Sequence, residues 1–214
     1  MRRRPFPVVL AAPSGTGKTT LARALVERRT DLVFSVSVTT RPPRPAERSG
    51  RDYRFVTDEE FDRLVAAGEL IEWAEVHGWR YGTPRREIEA ALARGSPVLL
   101  DIDVQGARQI RAVFPDAVLI FVLPPSGEEL GRRLAGRASE RDAERRRRLE
   151  TARRELTAAQ EFDYVVVNDD FEAAVASLDA VLTAERLRVG RAEDLPEVVA
   201  RLDRELARLL ERSE

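Results

Sequence analysis

Ala12-Pro13-Ser14-Gly15-Thr16-Gly17-Lys18-Thr19-Thr20 has the residue types and spacing to bind and polarise a polyphosphate. Gly15 and Gly17 free the backbone for positive φ, which lets successive N–H groups turn inward onto an anion. A helix opening near Lys18 adds the positive end of its dipole at the same place. Lys18 is then placed to reach the outer phosphates of a nucleoside triphosphate such as ATP, with the Thr19 hydroxyl as a ligand for Mg²⁺. Lys18 is also the only lysine in a chain with 36 Lys and Arg residues. A planar guanidinium does not replace a compact ammonium wrapped inside a tight loop. The pattern G-x-x-x-x-G-K-[ST] is broken once, at Ala12, where its first glycine would stand.

Two other groups fit this chemistry. Asp101 ends an apolar run, Val98 to Asp103, where a carboxylate is costly unless it meets a cation, and a hydrated Mg²⁺ opposite Thr19 is such a cation. The competing reading makes Asp101 and Asp103 helix caps. Arg41 and Arg44 lie three positions apart on a proline-stiffened segment, so an extended backbone of roughly three residues per turn turns both forks toward one phosphate. Tyr53 and Tyr81 add phenolic donors.

The elements that must position these groups follow from the apolar pattern. Val8 to Ala12 reads as a buried strand leading into the loop, and Leu21, Ala22, Leu25 and Val26 recur at helical spacing behind it. The next buried strand, Val98 to Asp103, comes only after a long interval. The intervening chain reads as an inserted, mostly β subdomain with strand-like runs at Phe34 to Val38 and Tyr53 to Val56. A helix from Ala107 to Phe114, a strand from Ala117 to Leu123, arginine-rich helices from Glu128 to about Glu161 and a strand from Tyr164 to Val167 complete the alternation. The expected fold is α/β, a parallel sheet flanked by helices with ligands at the carboxyl ends of its strands. A formal net charge of −1 argues against a general nucleic-acid partner, and no apolar stretch is long enough for a membrane span. The absence of cysteine excludes thiolate chemistry and fits a reducing cytoplasm. His77, the only histidine, has no Cys or His partner in its turn and is not expected to hold a metal.

Taken together, Ala12 to Thr19, Ser35 to Arg44, Gly50 to Tyr53, Ile71-Glu72-Trp73, Tyr81-Gly82-Thr83, Leu100 to Gly106 and Val167 to Asp170 resemble the guanylate kinase family, block by block and in order over nearly the whole chain. The resemblance implies a P-loop nucleoside monophosphate kinase that transfers the γ-phosphoryl group of ATP to GMP, and to dGMP, with Mg²⁺. It implies a core of residues 1–33, 95–127 and 160–189, a GMP-binding subdomain over 34–94, a lid over 128–159 and a C-terminal helical extension over 190–214. Carried over residue by residue, Arg41, Arg44, Tyr53 and Tyr81 hold the GMP phosphate. Ser37, Glu72, Thr83 and Asp103 read the guanine, and residues 12–20 with Asn168 hold ATP. Lys18, Arg41, Arg137 and Arg148 serve the transferring group, with Arg133 beside them. Chemistry agrees at Glu72, because guanine presents N1–H and N2–H₂ side by side to one ionised carboxylate, whereas adenine presents an acceptor at N1. Ala138 departs from the family, which often has glycine after the lid arginine.

The lid stripe of Leu149, Ala152, Leu156 and Ala159 is expected to pack its helix down. Asp194 and Glu197 resemble a helix-start capping pair, and Leu195, Val198, Val199, Leu202, Leu206, Leu209 and Leu210 share a face that either packs on the core or pairs with another subunit. Two other functions compete with the kinase reading. A catalytically silent phosphopeptide-binding module of the same family would have lost the loop chemistry that Lys18, Thr19 and Asp101 retain, and a kinase for another phosphorylated acceptor would have no use for Ser37, Glu72 and Thr83.

Overall fold

The computed structural model describes residues 1–76, 78–135 and 142–212. Two sheets organise the chain. The strands β1 (Pro7–Ala11), β2 (Val33–Phe34), β7 (Val98–Asp101), β8 (Val118–Leu123) and β9 (Tyr164–Val167) form a parallel sheet in the order β2-β7-β1-β8-β9. The strands β3 (Val38–Thr39), β4 (Arg54–Phe55), β5 (Leu70–Val76) and β6 (Trp79–Pro84) form the second sheet, in the order β4-β3-β6-β5.

Period-2 alternation sends successive side chains of the central strands to opposite layers. Val8, Leu10 and Leu99 pack with Leu21 and Leu25 of α1 (Lys18–Arg28) and with Val175, Leu178 and Leu182 of α7 (Phe171–Leu187). Val9, Val98 and Leu100 face the other way, onto Ile88 and Ala91 of α3 (Arg85–Ala93) and Ala107 and Ile110 of α4 (Val104–Val113). Strands covered on both faces are near-continuous apolar runs, as all-parallel sheets require. The second sheet has its own small core, in which Val38 and Leu70 meet Phe61 and Leu64 of α2 (Asp58–Ala66).

The run Phe34 to Val38, expected as one strand, is divided between the sheets. Phe34 pairs in parallel with Leu99 at the edge of the core sheet, whereas Val38 pairs with Arg54 and Gly82 in the second sheet. A parallel strand does follow α1 directly; it is two residues long, because the chain leaves the edge to build the insert. The insert is tied back to the core where the Gln109 side chain of α4 accepts from the Trp73 backbone N–H (3.2 Å) and donates to its carbonyl (2.8 Å).

The helices α5 (Gly127–Ala135) and α6 (Asp142–Thr157) meet through Leu130, Leu134 and Ala152. Leu149, expected in the packed stripe, is 36% exposed, and the neighbouring Arg148 is turned inward in its place at 7%. In α8 (Leu195–Glu211), Val199, Leu202, Leu206, Leu209 and Leu210 are exposed, so in a single chain the stripe is not laid on the core. The expected capping pair does not form either. Asp194 Oδ1 accepts from the backbone N–H of Arg2 instead (2.7 Å), which joins the start of α8 to the N-terminal segment.

Candidate active site

Gly15 and Gly17 have φ of 90° and 87°, the left-handed region that a side chain would strain, and Gly17 is the residue on which α1 opens. The turn therefore presents its backbone to a cavity of about 470 Å³ that residues 12–20 all line. Ala12 is buried at the strand end, where its methyl group belongs to the core cluster that also holds Leu21 and Val122. Lys18 Nζ lies 2.8 Å from Asp101 Oδ1 and donates to the Ile102 carbonyl, while the Thr19 hydroxyl donates to Asp101 Oδ2 (2.6 Å). Asp101 thus caps no helix. Asp103 does cap one, accepting from the Gly106 N–H at the start of α4 (2.8 Å), and still lines the cavity.

The same cavity takes in Ser37, Arg44, Tyr53, Glu72 and Tyr81. Glu72, on β5, is 4% exposed, and Thr83 on the paired strand β6 donates its hydroxyl to Glu72 Oε1. A Cβ at Gly106 would lie 2.7 Å from Glu72 Oε2, so the glycine makes room for the carboxylate against the first turn of α4. Burial pushes the Glu72 carboxyl up to about 7; the Thr83 hydrogen bond pulls the other way, Asp103 adds to the rise and Lys18 opposes it.

Not every expected residue reaches the cavity. Arg41 is 9% exposed behind its wall, donating from Nε to Tyr81 Oη (3.2 Å), from Nη1 to the Pro42 carbonyl (2.8 Å) and from Nη2 to Glu47. The Thr83 hydroxyl is turned onto Glu72, and Asn168 donates to the Thr16 carbonyl (2.6 Å), bracing the loop from behind. Arg148 of α6 donates to Ser14 Oγ (3.2 Å), and Arg133 of α5, which does line the cavity, donates to the Thr16 carbonyl (3.3 Å), so α5 and α6 both touch the loop. Arg137 and Ala138 lie outside the described residues, as does His77.

Glu155 is a cavity residue that sequence reasoning missed. Burial pushes its carboxyl up to about 7, opposed by Lys18 and raised further by Asp103, and Oε2 has no hydrogen-bond partner among the described residues. The available signal was its spacing: seven residues after Arg148 is two helical turns, hence the same face of α6.

A guanylate kinase family model matches residues 3–185. The chain belongs to the guanylate kinase family. It is 56% identical over 176 residues to the guanylate kinase of Thermobifida fusca, covering 82% of this chain and 90% of that one. The guanylate kinase of Geobacter sulfurreducens is 47% identical over 203 residues, covering 95% of this chain and all of its own length. The crystal structure of guanylate kinase from Anaplasma phagocytophilum superposes with a TM-score of 0.80 at 39% identity, over 92% of this chain and 95% of that one. As a guanylate kinase the chain is an enzyme, a phosphotransferase between ATP and GMP, and the silent-module alternative is not favoured.

Proposed function

We propose that the two substrates meet in the one cavity, with ATP on the Lys18 side and GMP, or dGMP, on the Glu72 side. The observation carrying this reading is that a phosphate loop and a buried carboxylate suited to guanine line the same 470 Å³ space. Loop amides and the Lys18 ammonium neutralise the ATP phosphates; Arg148 and Arg133 approach the same loop from the lid segment 128–159. In the insert over 34–94, Arg44, Tyr53 and Tyr81 face the acceptor phosphate. The attacking group is already a phosphate oxygen, mostly dianionic near neutrality because its second pKa is about 6, so no general base is required. Catalysis then consists of alignment and charge neutralisation.

Thr19 and Asp101 fit Mg²⁺. Their oxygens are hydrogen-bonded to each other, they are hard donors, and among the described residues no cluster of three or more acidic or histidine side chains offers a fuller cage. Thr19 and Asp101 would hold the ion, which would supply positive charge against the ATP phosphates. Among the described residues no helix is long and apolar enough to cross a membrane, and the lack of cysteine supports a cytoplasmic setting.

A coupled assay offering AMP, CMP, UMP, GMP and dGMP with ATP and Mg²⁺ tests the reading; ADP release with the two guanine nucleotides alone is the expected result, and equal release with AMP overturns it. Arg44→Ala removes one charge-assisted contact of roughly 1.5–3 kcal/mol, which raises the KM for GMP about tenfold to a hundredfold. The KM for ATP is the internal control and stays within about twofold.

A further inference from the structure

From Arg41 to Glu47 the chain reads Arg-Pro-Pro-Arg-Pro-Ala-Glu. Each proline removes a backbone donor, and residues 42–46 are exposed and belong to no strand, so the segment has few backbone bonds to hold it. It nevertheless carries Arg44, whose side chain is 55% exposed and, among the described residues, has no ion-pair partner nearer than Glu47 Oε1 at 4.0 Å.

Glu47 supplies the missing ties. Its two carboxylate oxygens accept from Arg41 Nη2 at 2.8 and 3.0 Å, Oε2 also accepts from the Arg44 backbone N–H at 2.8 Å, and its own N–H donates to the Arg44 carbonyl at 2.9 Å. Arg41 is the fixed end of this chain of contacts, held under Tyr53 with 5.4 Å from guanidinium to ring centroid and bonded to Tyr81. Burial alone would raise the Glu47 carboxyl, but Arg41 and Arg44 hold it below the ordinary carboxylate range. The carboxylate is not part of the cavity wall, and both its oxygens are engaged.

We propose that Glu47 is a positioning residue for the acceptor phosphate: it fastens the Arg44 backbone to the buried Arg41 fork and so aims the Arg44 guanidinium into the cavity without itself touching the phosphate. The proposal rests on reading Arg44, Tyr53 and Tyr81 as the subsite for the GMP phosphate. A carboxylate facing a phosphate dianion would repel it; one turned away, with each oxygen engaged by Arg41 or the Arg44 N–H, orders the cations at no such cost.

The test compares Glu47→Ala, Glu47→Gln and Arg44→Ala in the full chain, measuring KM for both substrates, kcat, and calorimetric binding of GMP against guanosine, which lacks the phosphate. Glu47→Ala is expected to weaken GMP about tenfold or more while guanosine binding and the KM for ATP stay within about twofold. Glu47→Gln, which keeps an acceptor oxygen for the Arg44 N–H, recovers part of the loss. A general loosening of the insert would weaken guanosine as much as GMP, and that outcome overturns the proposal. So does GMP binding that is unchanged or tighter in Glu47→Ala, the tighter result making Glu47 a competitor that the phosphate displaces. If Arg44→Ala also leaves GMP unaffected, the phosphate subsite itself is wrong; if Arg44→Ala alone weakens GMP, only the role of Glu47 falls. Should the alanine variant not fold, the glutamine variant carries the same comparison, with a loss confined to GMP expected and an equal loss for guanosine overturning it.

Discussion

Glu72→Gln is expected to lower kcat/KM for GMP by about a hundredfold and, at pH 8, to make the protein more stable. The amide turns one acceptor into a donor that faces a guanine N–H in a desolvated pocket, and an unmade buried hydrogen bond discriminates strongly. The stability gain has a separate origin. Burial holds the Glu72 carboxyl at about 7, above its value of 4.5 in the unfolded chain. Between those values the folded state binds more protons than the unfolded one, so stability falls as pH rises from about 4.5 to 7, and above 7 the fold carries the whole cost of a buried charge. That cost is at most about 3 kcal/mol, and glutamine removes it. The pH profile separates the roles. With wild-type protein, kcat/KM for GMP rises through about pH 7 as Glu72 ionises; the variant loses this step and keeps only the one near 6 that belongs to the GMP phosphate. Melting curves at pH 5 and 8 with steady-state assays check both halves. Unchanged kcat/KM would remove Glu72 from guanine recognition.

Lys18→Met is expected to reduce kcat about a thousandfold with GMP binding held within about twofold. The methionine preserves much of the stem's packing and deletes the charge. Asp101, with its side chain 8% exposed, loses the ammonium 2.8 Å away but keeps the Thr19 hydroxyl, so the fold survives the change. Lys18→Arg is expected to fare little better, because a broad planar fork replaces the compact ammonium that sits between Asp101 and the Ile102 carbonyl. Single-turnover rates and GMP calorimetry on both variants provide the measurement. A methionine variant within tenfold of wild-type kcat would mean that the loop amides neutralise the phosphates unaided.

The phosphate loop is legible in the sequence because its chemistry is local: two glycines, a lysine and a threonine act through the backbone that joins them. The core sheet is legible for a similar reason, since strands buried on both faces must be continuous apolar runs. What the sequence hides depends on partners far along the chain. Arg41 and Arg44 look equivalent on a proline-rich segment, and only the placement of Tyr53, Tyr81 and Glu47 buries one and leaves the other open. Gly106 has no local purpose until β5 brings Glu72 against it. The division of Phe34 from Val38 is equally silent, because both residues suit a strand and nothing between them marks a change of sheet.

The solitary lysine has a practical corollary for reagent chemistry. Lys18 offers the chain's one side-chain primary amine, 17% exposed and lining the 470 Å³ cavity. Acylating agents and amine cross-linkers, which on most proteins decorate a scattered set of surface lysines, here have a single side-chain target, and if Lys18 acts as proposed, its loss of charge is expected to remove turnover. The extent of labelling at that position is thus expected to track the fraction of molecules that have lost turnover, bound nucleotide is expected to slow it, and attachment to a solid support through lysine is expected to yield an inert surface.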